Sequence, residues 1–382
     1  MPVDTGFMVY NEVTYPNLTR LFRELGVTTK PSCMSFSVQQ VPLGLEYCGS
    51  SFNQLFAQRR NLFKGRFIRM LWQVDRFNRE AVEALDDPQV DGQTLAHYVN
   101  QRAYGCDFLD LYLTPMSAAV WSTPADQMSK FPAKTLLRFF HNHGFLGMYT
   151  QHPWRTVAGG AQSYVSKLTA PFRQHIRLNQ RVLRVVRQPA QAKVVTENGL
   201  AETYDKVILA CHADQALKLL HSPTPDEQQL LGRFRHQSNR AILHQDESVM
   251  PRNRRAWASW NYRMDSPQPP VGTGAEAVRA STVYWMNSLQ GVSRVQNYFV
   301  SINDPGRVPP HKIRRTIDYE HPVFSLDTVE AQRKLPLLNR VSPAQSVFFC
   351  GSYFRYGFHE DALASAIDVC RVLLKEPLWK AA

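Results

Sequence analysis

Residues 346–374 constrain the chain more than any other segment, because two glycines lie between an apolar run and a helical pattern. The run Val347–Cys350 predicts a buried strand, Gly351 and Gly357 bound a loop, and a helix is expected from about 360 to 374. Glycine lets a ligand approach the backbone, and the first N–H groups of a helix are unpaired and partially positive. The segment predicts a site for a polar or anionic ligand, although an ordinary strand–turn–helix unit fits the same residues.

Hydrophobic periodicity divides the rest of the chain into a helical first part and a mixed second part. The first 150 residues are expected to be mainly helical, with patterns at 16–26, 53–84, 93–116 and 133–144. The later segments predict helices at 161–172 and 213–220, strands at 181–186 and 206–210, and an antiparallel sheet within 238–302 that contains a Pro- and Gly-rich loop at 266–274.

Two of these later predictions are specific enough to be checked in detail. Asn198-Gly199 separates two strand-like runs and predicts a hairpin with a type I′ turn, which needs positive φ at both central residues. The run Val207–Ala210 is continuously apolar, so this strand is expected to be buried on both faces.

Composition restricts the class of protein and its location. A length of 382 residues suggests two or three domains. No apolar run approaches the roughly 18 residues of a membrane-spanning helix, and the first residues lack the features of a signal peptide. The six cysteines are scattered without a C-x-x-C pair, which favours reduced thiols. We therefore expect a cytoplasmic protein, either free or peripheral at the inner membrane.

The formal net charge of +12 is unevenly distributed. Between Glu46 and Asp75 there is no acidic residue, whereas five basic residues fall in that gap: Arg59, Arg60, Lys64, Arg66 and Arg69. The amphipathic stretch 53–72 is expected either to contact an anionic membrane or to be a solvated helix face with its apolar side in the core. No nucleic-acid partner is expected, because no recognition module or dense basic cluster is present.

The glycine-rich segment resembles the C-terminal flavin motif of the amine-oxidase and phytoene-desaturase type of FAD enzymes, G-[DE] … G-x-x-E-G-A-x-x-S-G. The matching residues are Gly351, Gly357, Glu360, Ala362 and Ser365. Three positions depart from the motif: Ser352 replaces an acidic residue, and Asp361 and Ala366 each replace a glycine.

Further segments resemble the same family. Asp4 and Gly6 are similar to the stretch that follows its first glycine fingerprint, Val182 to the strand that holds the adenine, and 206–210 to a later strand. The closest resemblance is to bacterial NAD/FAD-binding oxidoreductases allied with cyclopropane-fatty-acid synthases, carried by Val3–Phe7, Thr14–Leu18, Ala158–Gly160 and Tyr356–Asp361.

This resemblance implies an α/β fold with two domains, a Rossmann-like FAD-binding domain of the glutathione-reductase type and an interleaved α+β substrate or cap domain. The FAD-binding domain is expected from residues 1–30, 165–225 and 340–382, and the cap from 31–164 and 226–339. The first βαβ unit with its G-x-G-x-x-G motif is not found in this sequence. The chain is then either an N-terminally truncated form of an FAD enzyme, which we favour, or a natural short form with a damaged site. In both cases we expect it to bind FAD weakly or not at all.

The resemblance also implies which residues would contact the FAD cofactor. They are Asp4, Gly6, Val182, Ala210, Gly351, Ser352, Gly357, Phe358, His359, Glu360, Asp361 and Ala362. Phe358 and His359 are candidates for flavin-facing pocket residues, although His359 is equally suited to bonding a nearby carbonyl. No metal site is expected, because His141 and His143 diverge on a helix.

The function implied is that of an FAD-dependent oxidoreductase. Apolar Phe358 and the subgroup's association favour oxidation or desaturation of a lipid acyl chain. The alternative is a non-catalytic lipid- or partner-binding protein with a degenerate flavin site. The central aromatic residues either line an apolar pocket or belong to the core: Trp257, Trp260, Tyr262, Tyr284 and Trp285.

Overall fold

A computed structural model describes residues 2–147, 150–266, 280–340, 342 and 345–375. The strands, numbered in chain order, are β1 (Tyr10–Asn11), β2 (Thr29–Ser32), β3 (Phe36–Gln40), β4 (Leu45–Cys48), β5 (Trp154–Val157), β6 (Val182–Gln188), β7 (Gln191–Thr196), β8 (Ala201–Tyr204), β9 (Val207–Leu209), β10 (Arg235–His244), β11 (Trp260–Met264), β12 (Ala280–Trp285), β13 (Phe299–Ile302), β14 (Ile313–Val323) and β15 (Val347–Phe349). Of the loop predicted at 266–274, only Ser266 is among the described residues, and 376–382 also lie outside them.

The α-helices follow the same numbering. They are α1 (Pro16–Glu24), α2 (Phe52–Leu55), α3 (Gly65–Glu83), α4 (Leu95–Gln101), α5 (Cys106–Phe108), α6 (Thr114–Trp121), α7 (Ala125–Met128), α8 (Ala133–Asn142), α9 (Gln162–Thr169), α10 (Ala213–Leu219), α11 (Pro225–Leu231), α12 (Met286–Gln290), α13 (Leu326–Lys334) and α14 (His359–Leu374). The helices predicted at 16–26, 133–144, 161–172, 213–220 and 360–374 are confirmed within one turn or less of their expected ends.

The chain divides into two compact units, each assembled from separate segments. Unit 1 contains residues 1–14, 22–165 and 237–321, and unit 2 contains 15–21, 166–236 and 322–382. The assignment of segments to a FAD-binding domain and a cap remains a prediction, because compactness does not identify what a unit binds.

Unit 1 is built on a seven-stranded sheet with the strand order β14-β10-β13-β12-β11-β3-β4. The predicted antiparallel sheet is confirmed by the pairing of β10 with β13, β13 with β12, and β12 with β11. Strand β3 then joins β11 in parallel, with Phe36 opposite Trp260.

The aromatic side chains of this sheet pack on one another. Trp257 contacts Trp285 edge to face at a centroid distance of 5.3 Å, and Trp260 contacts Tyr284 at 4.9 Å. Tyr262 is buried. Aromatic pairs in this geometry stabilise a core beyond their area burial. The core interpretation of these residues is therefore favoured over the pocket interpretation.

The first part of the chain is less continuously helical than predicted. The stretch 53–84 forms α2, a 3₁₀ helix at Arg59–Phe63 and then α3, because Lys64 has extended backbone angles of φ −89° and ψ 100°. The stretch 93–116 is divided among α4, α5, a π-helical turn and α6. Strands β2, β3 and β4 were not predicted. Within the described parts of the chain, no helix has the length and apolar character needed to cross a bilayer.

Unit 2 combines an antiparallel sheet, β6-β7-β8, with the parallel pair β9 and β15. Val207 lies opposite Val347, and Leu209 opposite Phe349. These strands pack against helices α10, α11 and α13 through a buried cluster that includes Ala213, Leu231, Ala331, Val347 and Phe349. The prediction that β9 is buried on both faces is wrong at Ile208, whose side chain is 41% exposed.

The hairpin of β7 and β8 is confirmed, but its predicted type I′ turn is wrong. The N–H of Gly199 donates to the Thr196 carbonyl at 3.1 Å, and only Gly199, at φ +82°, has positive φ in this turn. A right-handed turn followed by one left-handed glycine is the other common way to close a short hairpin. Asn198 instead accepts a bond from the Thr196 hydroxyl.

Candidate functional site

The strand–turn–helix unit predicted at 346–374 is held together by the residues that carry the family resemblance. The N–H of Gly351 donates to the Ser365 hydroxyl at 2.8 Å, and this hydroxyl donates to the Ala362 carbonyl at 2.8 Å. Ser365 thus ties the end of strand β15 to the first two turns of α14. The serine of the motif has an internal structural role that sequence alone did not reveal.

The two glycines of the turn are required by neighbouring groups of the same unit. Gly357 has φ +95°, and a Cβ there would lie 3.2 Å from Pro322 and 3.3 Å from the ring of Phe324. A Cβ at Gly351 would lie 2.5 Å from the Tyr353 ring. A Cβ at either position would collide with a neighbouring ring, so glycine is needed because side chains of the same unit already fill the space beside it.

Asp361 caps the beginning of α14 from within. Its carboxylate accepts a bond from the N–H of Phe358 at 2.9 Å, and the side chain is buried. Burial raises the pKa of Asp361 to about 6, although hydrogen bonds from backbone groups of Phe358 and Tyr356 and the charge of Arg355 oppose that shift. The family motif has glycine at this position, so this carboxylate is a departure with an electrostatic consequence.

That departure decides which part of a flavin cofactor fits here. An ionised carboxylate at the start of α14 offsets the positive potential of the helix end and disfavours a phosphate group. An uncharged heteroaromatic edge has no such electrostatic conflict with the Asp361 carboxylate. The turn therefore fits the ring system of FAD better than its pyrophosphate.

The raised pKa of Asp361 predicts a pH-dependent effect of Asp361→Asn. The folded protein holds the proton more tightly than the unfolded chain, so the ionised carboxylate destabilises the fold as pH rises from about 4 through about 6. A rise from 3.8 to about 6 corresponds to roughly 3 kcal/mol. We expect Asp361→Asn to be more stable than the parent by about 2 kcal/mol at pH 7.5 and nearly equal at pH 4. Urea unfolding at both pH values measures this; a difference independent of pH would contradict it.

Glu360 bonds a different helix from the one that carries it. Its carboxylate accepts bonds from the Asn17 N–H at 3.0 Å, the Asn17 amide at 2.6 Å and the Leu18 N–H at 3.0 Å. These donors lie at the beginning of α1, whose first N–H groups need acceptors. The structure shows Glu360 as the cap of another helix, while its predicted contact with the cofactor remains a prediction.

The twelve predicted cofactor residues fall into two groups. Ten of the twelve belong to unit 2: Val182, Ala210, Gly351, Ser352, Gly357, Phe358, His359, Glu360, Asp361 and Ala362. Asp4 and Gly6 belong to unit 1. Within unit 2, Phe358 is half-buried directly before α14, and His359 is exposed.

Asp4 and Gly6 have defined positions in unit 1. The Asp4 carboxylate accepts bonds from the Ala161 N–H at 2.9 Å and the Gln290 amide at 2.5 Å. Gly160, at φ +85°, lets that carboxylate approach closely. Gly6 lies beside the Tyr319 hydroxyl. Their predicted contacts with FAD remain predictions.

Sequence reasoning missed one cluster of polar residues in unit 2. His212, Asp214 and His236 place their ligand atoms within 4.8 Å of one another. The imidazole rings stack at an interplanar angle of 7° with centroids 4.0 Å apart, and Asp214 lies 2.8 Å from His236 Nδ1. A metal ion lies near the plane of each imidazole that binds it, which two stacked rings cannot both satisfy. His212 follows a predicted strand, but nothing local indicated His236 as its neighbour.

The histidines considered for a metal site in the sequence do not converge. His143 is buried, its Nδ1 lies 3.0 Å from the Phe139 carbonyl, and burial lowers its pKa to about 4. His141 is exposed on the same helix end. His143 is therefore a core residue.

Comparison with known proteins confirms the family. Residues 1–374 match the family described as flavin containing amine oxidoreductase. No functionally curated protein matches the sequence.

Solved structures share the fold. A putrescine oxidase variant is 12% identical, with a TM-score of 0.65 over 98% of this chain and 88% of that chain. A fatty acid isomerase from P. acnes that produces CLA is 12% identical, with a TM-score of 0.64 over 97% and 86%. Cyclohexylamine oxidase from Brevibacterium oxydans IH-35A is 12% identical, with a TM-score of 0.64 over 98% and 88%. At this identity the likeness shows the fold alone. Together with the family match over nearly its whole length, it shows that the chain belongs to the flavin-containing amine oxidoreductases, FAD-dependent enzymes.

Proposed function

We propose that this oxidoreductase acts on an apolar substrate, namely the acyl chain of a lipid, which it oxidises or desaturates. The observation that carries the proposal is the direction of the two carboxylates at the turn before α14. Glu360 bonds the beginning of α1, and Asp361 bonds the backbone of its own turn. A carboxylate free to pair would favour a cationic amine, whereas an acyl chain needs only apolar contact.

Phe358 is the apolar group of this turn. Its N–H is held by Asp361 at 2.9 Å, which fixes the backbone from which the ring projects. FAD, when bound, supplies the electron acceptor for C–H oxidation. The residues of the chain would position and desolvate the substrate. Gly351 and Gly357 allow the tight turn, and Phe358 offers an apolar wall. Asp361 holds a proton below about pH 6 and releases it above.

The structural neighbours include enzymes of both substrate classes. Putrescine oxidase and cyclohexylamine oxidase are named for amines, and the P. acnes enzyme for fatty acid isomerisation. The fold therefore serves both chemistries, so the side chains of the turn must determine whether the substrate is an amine or a lipid. Those side chains favour the fatty acid.

Anaerobic flavin reduction tests the proposal. Because weak FAD binding is expected, FAD is kept in solution with the protein, and the mixture is treated separately with oleic acid, a phospholipid, putrescine and cyclohexylamine. We expect the oxidised-flavin absorption to bleach with a lipid and to persist with both amines. Bleaching by an amine alone would contradict the substrate class. Lipid binding without any retained flavin would instead support a non-catalytic lipid-binding protein.

A matched pair of variants tests whether Phe358 in particular, rather than any partly exposed phenylalanine, affects the rate of flavin reduction. We expect Phe358→Ser to slow reduction by lipid about tenfold or more, because an apolar wall worth roughly 1.5–3 kcal/mol is removed. Phe172→Ser changes a phenylalanine that is 45% exposed on a 3₁₀ helix of the same unit, and should leave the rate unchanged. Equal rates for both variants would remove Phe358 from the substrate site.

A further inference from the structure

Large apolar side chains are exposed on the segment Phe52–Trp72 of unit 1, here called the 52–72 surface. The side chain of Phe63 is 89% exposed, that of Phe52 71% and that of Trp72 60%. Single exposed apolar residues are common on proteins, but three such aromatic side chains within 21 residues are not expected on a solvated face.

Packing within unit 1 does not explain the exposed residues of α3. The helix buries Phe67, Met70 and Phe77 on one side. Ile68 and Trp72, which are four residues apart, lie on the opposite side and are exposed. The helix therefore has one apolar stripe for the core and a second apolar pair directed to its surroundings.

Aromatic contacts connect α2 to the first turn of α3. The ring of Phe52 contacts Phe56 at a centroid distance of 4.7 Å, and Phe56 contacts Phe67 of α3 at 5.8 Å. Phe63 belongs to the 3₁₀ helix that connects α2 to α3. Through Phe56, α2 is held against the beginning of α3, and the exposed Phe63 lies in the segment that joins the two helices.

The basic residues of the 52–72 surface largely keep their charge uncompensated. Arg59 donates to the Phe56 carbonyl at 3.0 Å, and Arg60 to the Gly44 carbonyl at 2.7 Å, which are neutral acceptors. Arg66 pairs with Asp107.

The sequence between Glu46 and Asp75 contributes no acidic side chain. Lys64 and Arg69 form no ion pair with any described residue. The surface thus combines exposed aromatic rings with four uncompensated cations.

We propose that the 52–72 surface docks the protein on an anionic phospholipid bilayer. Aromatic and aliphatic side chains enter the headgroup boundary, while Lys and Arg contact the phosphates, as in interfacial amphipathic helices. A second copy of the chain is disfavoured, because a symmetric contact would bring two sets of four cations together. The proposal goes beyond the flavin chemistry and does not depend on it.

Vesicle flotation of the full chain tests this proposal. Vesicles of phosphatidylcholine with phosphatidylglycerol are compared with vesicles of phosphatidylcholine alone, at low and high salt. We expect binding to the anionic vesicles, weakened by salt. We expect the double variants Phe63→Ser/Trp72→Ser and Lys64→Glu/Arg69→Glu each to lower the affinity about tenfold or more.

A control pair carries the same chemistry elsewhere on unit 1. Val295 is 98% exposed and follows the exposed Arg294, so Arg294→Glu/Val295→Ser should bind vesicles like the parent. Thermal unfolding of every variant should match the parent, since the substituted side chains are exposed or, at Lys64, half-buried. Equal binding to neutral vesicles, or equal loss in the control pair, would overturn the proposal. A dimer that is seen by light scattering and is lost in the variants of the 52–72 surface would also overturn it. So would salt-sensitive binding of single-stranded RNA without binding of vesicles.

Discussion

Replacing Glu360 with alanine is expected to lower the free energy of unfolding of unit 2 by about 3 kcal/mol. The carboxylate accepts bonds from the Asn17 and Leu18 N–H groups, both at 3.0 Å, and from the Asn17 amide at 2.6 Å. Leu18 and Glu360 are both buried, so water cannot readily replace the lost acceptor. Two backbone N–H groups at the start of α1 would be left without a partner, which is among the more costly changes a single substitution can make.

Two further variants distinguish the loss of the Glu360 hydrogen bonds from a general effect of substitutions in α14. Glu360→Gln keeps one acceptor oxygen without its charge, so we expect a loss of about 1–1.5 kcal/mol. Asp368→Ala removes an exposed carboxylate from the same helix, and we expect a change within about 0.5 kcal/mol. Guanidinium unfolding followed by circular dichroism measures all three. Equal losses for Glu360→Ala and Asp368→Ala would show that the cap does not stabilise the unit.

The second large effect is expected for Gly357→Val. The backbone at Gly357 has φ +95°, which a β-branched residue strongly disfavours, and a Cβ would approach Pro322 at 3.2 Å and the Phe324 ring at 3.3 Å. We expect a loss of about 3 kcal/mol in stability, and a lower flavin-to-protein ratio than the parent wherever the parent binds FAD, because the turn must shift. Unfolding and the ratio of flavin to protein absorption measure the two effects.

Gly199→Val provides the matched control for backbone strain. Gly199 has φ +82°, and no heavy atom lies within 4 Å of the position where a Cβ would be placed. We expect only the strain of positive φ there, about 1–2 kcal/mol, with FAD retention unchanged. If the two valine variants were equally unstable, the contacts with Pro322 and Phe324 would have no part in the effect.

Local patterns in the sequence predicted the elements that local chemistry determines. Strand β15 and helix α14 were predicted because an apolar run, glycines and an apolar helical stripe occur in succession. The hairpin of β7 and β8 was predicted for the same reason. Its turn type was not, because Asn198-Gly199 is compatible with more than one turn and the register of the strands chooses between them.

Elements that depend on distant partners were not predictable. Strand β2 contains Lys30 and Pro31 and shows no apolar alternation, yet it pairs with β5, whose residues lie more than 120 positions later. Strand β3 is similarly fixed by β11, which it joins in parallel. The first part of the chain was therefore predicted to be mainly helical, because its strands are specified by pairing with distant segments rather than by their own composition.

In the candidate site, too, local features were predictable and features that depend on distant partners were not. The motif positions could be found from the sequence, because glycines and small residues at fixed spacing are visible there. The direction of a carboxylate could not, since Glu360 and Asp361 are adjacent and chemically alike yet bond different helices. The pairing of His212 with His236 likewise depends on the packing of two segments.

The cap on α1 has a consequence for biosynthesis. Glu360 is separated from Asn17 by 343 positions, so the ribosome must make every residue between them before the bond can form. At roughly 5–20 residues per second, the nascent helix waits for roughly 17–70 s without its acceptor. Unit 2 is therefore expected to complete its folding only after translation of the C-terminal helix, while its earliest segment stays exposed in the meantime.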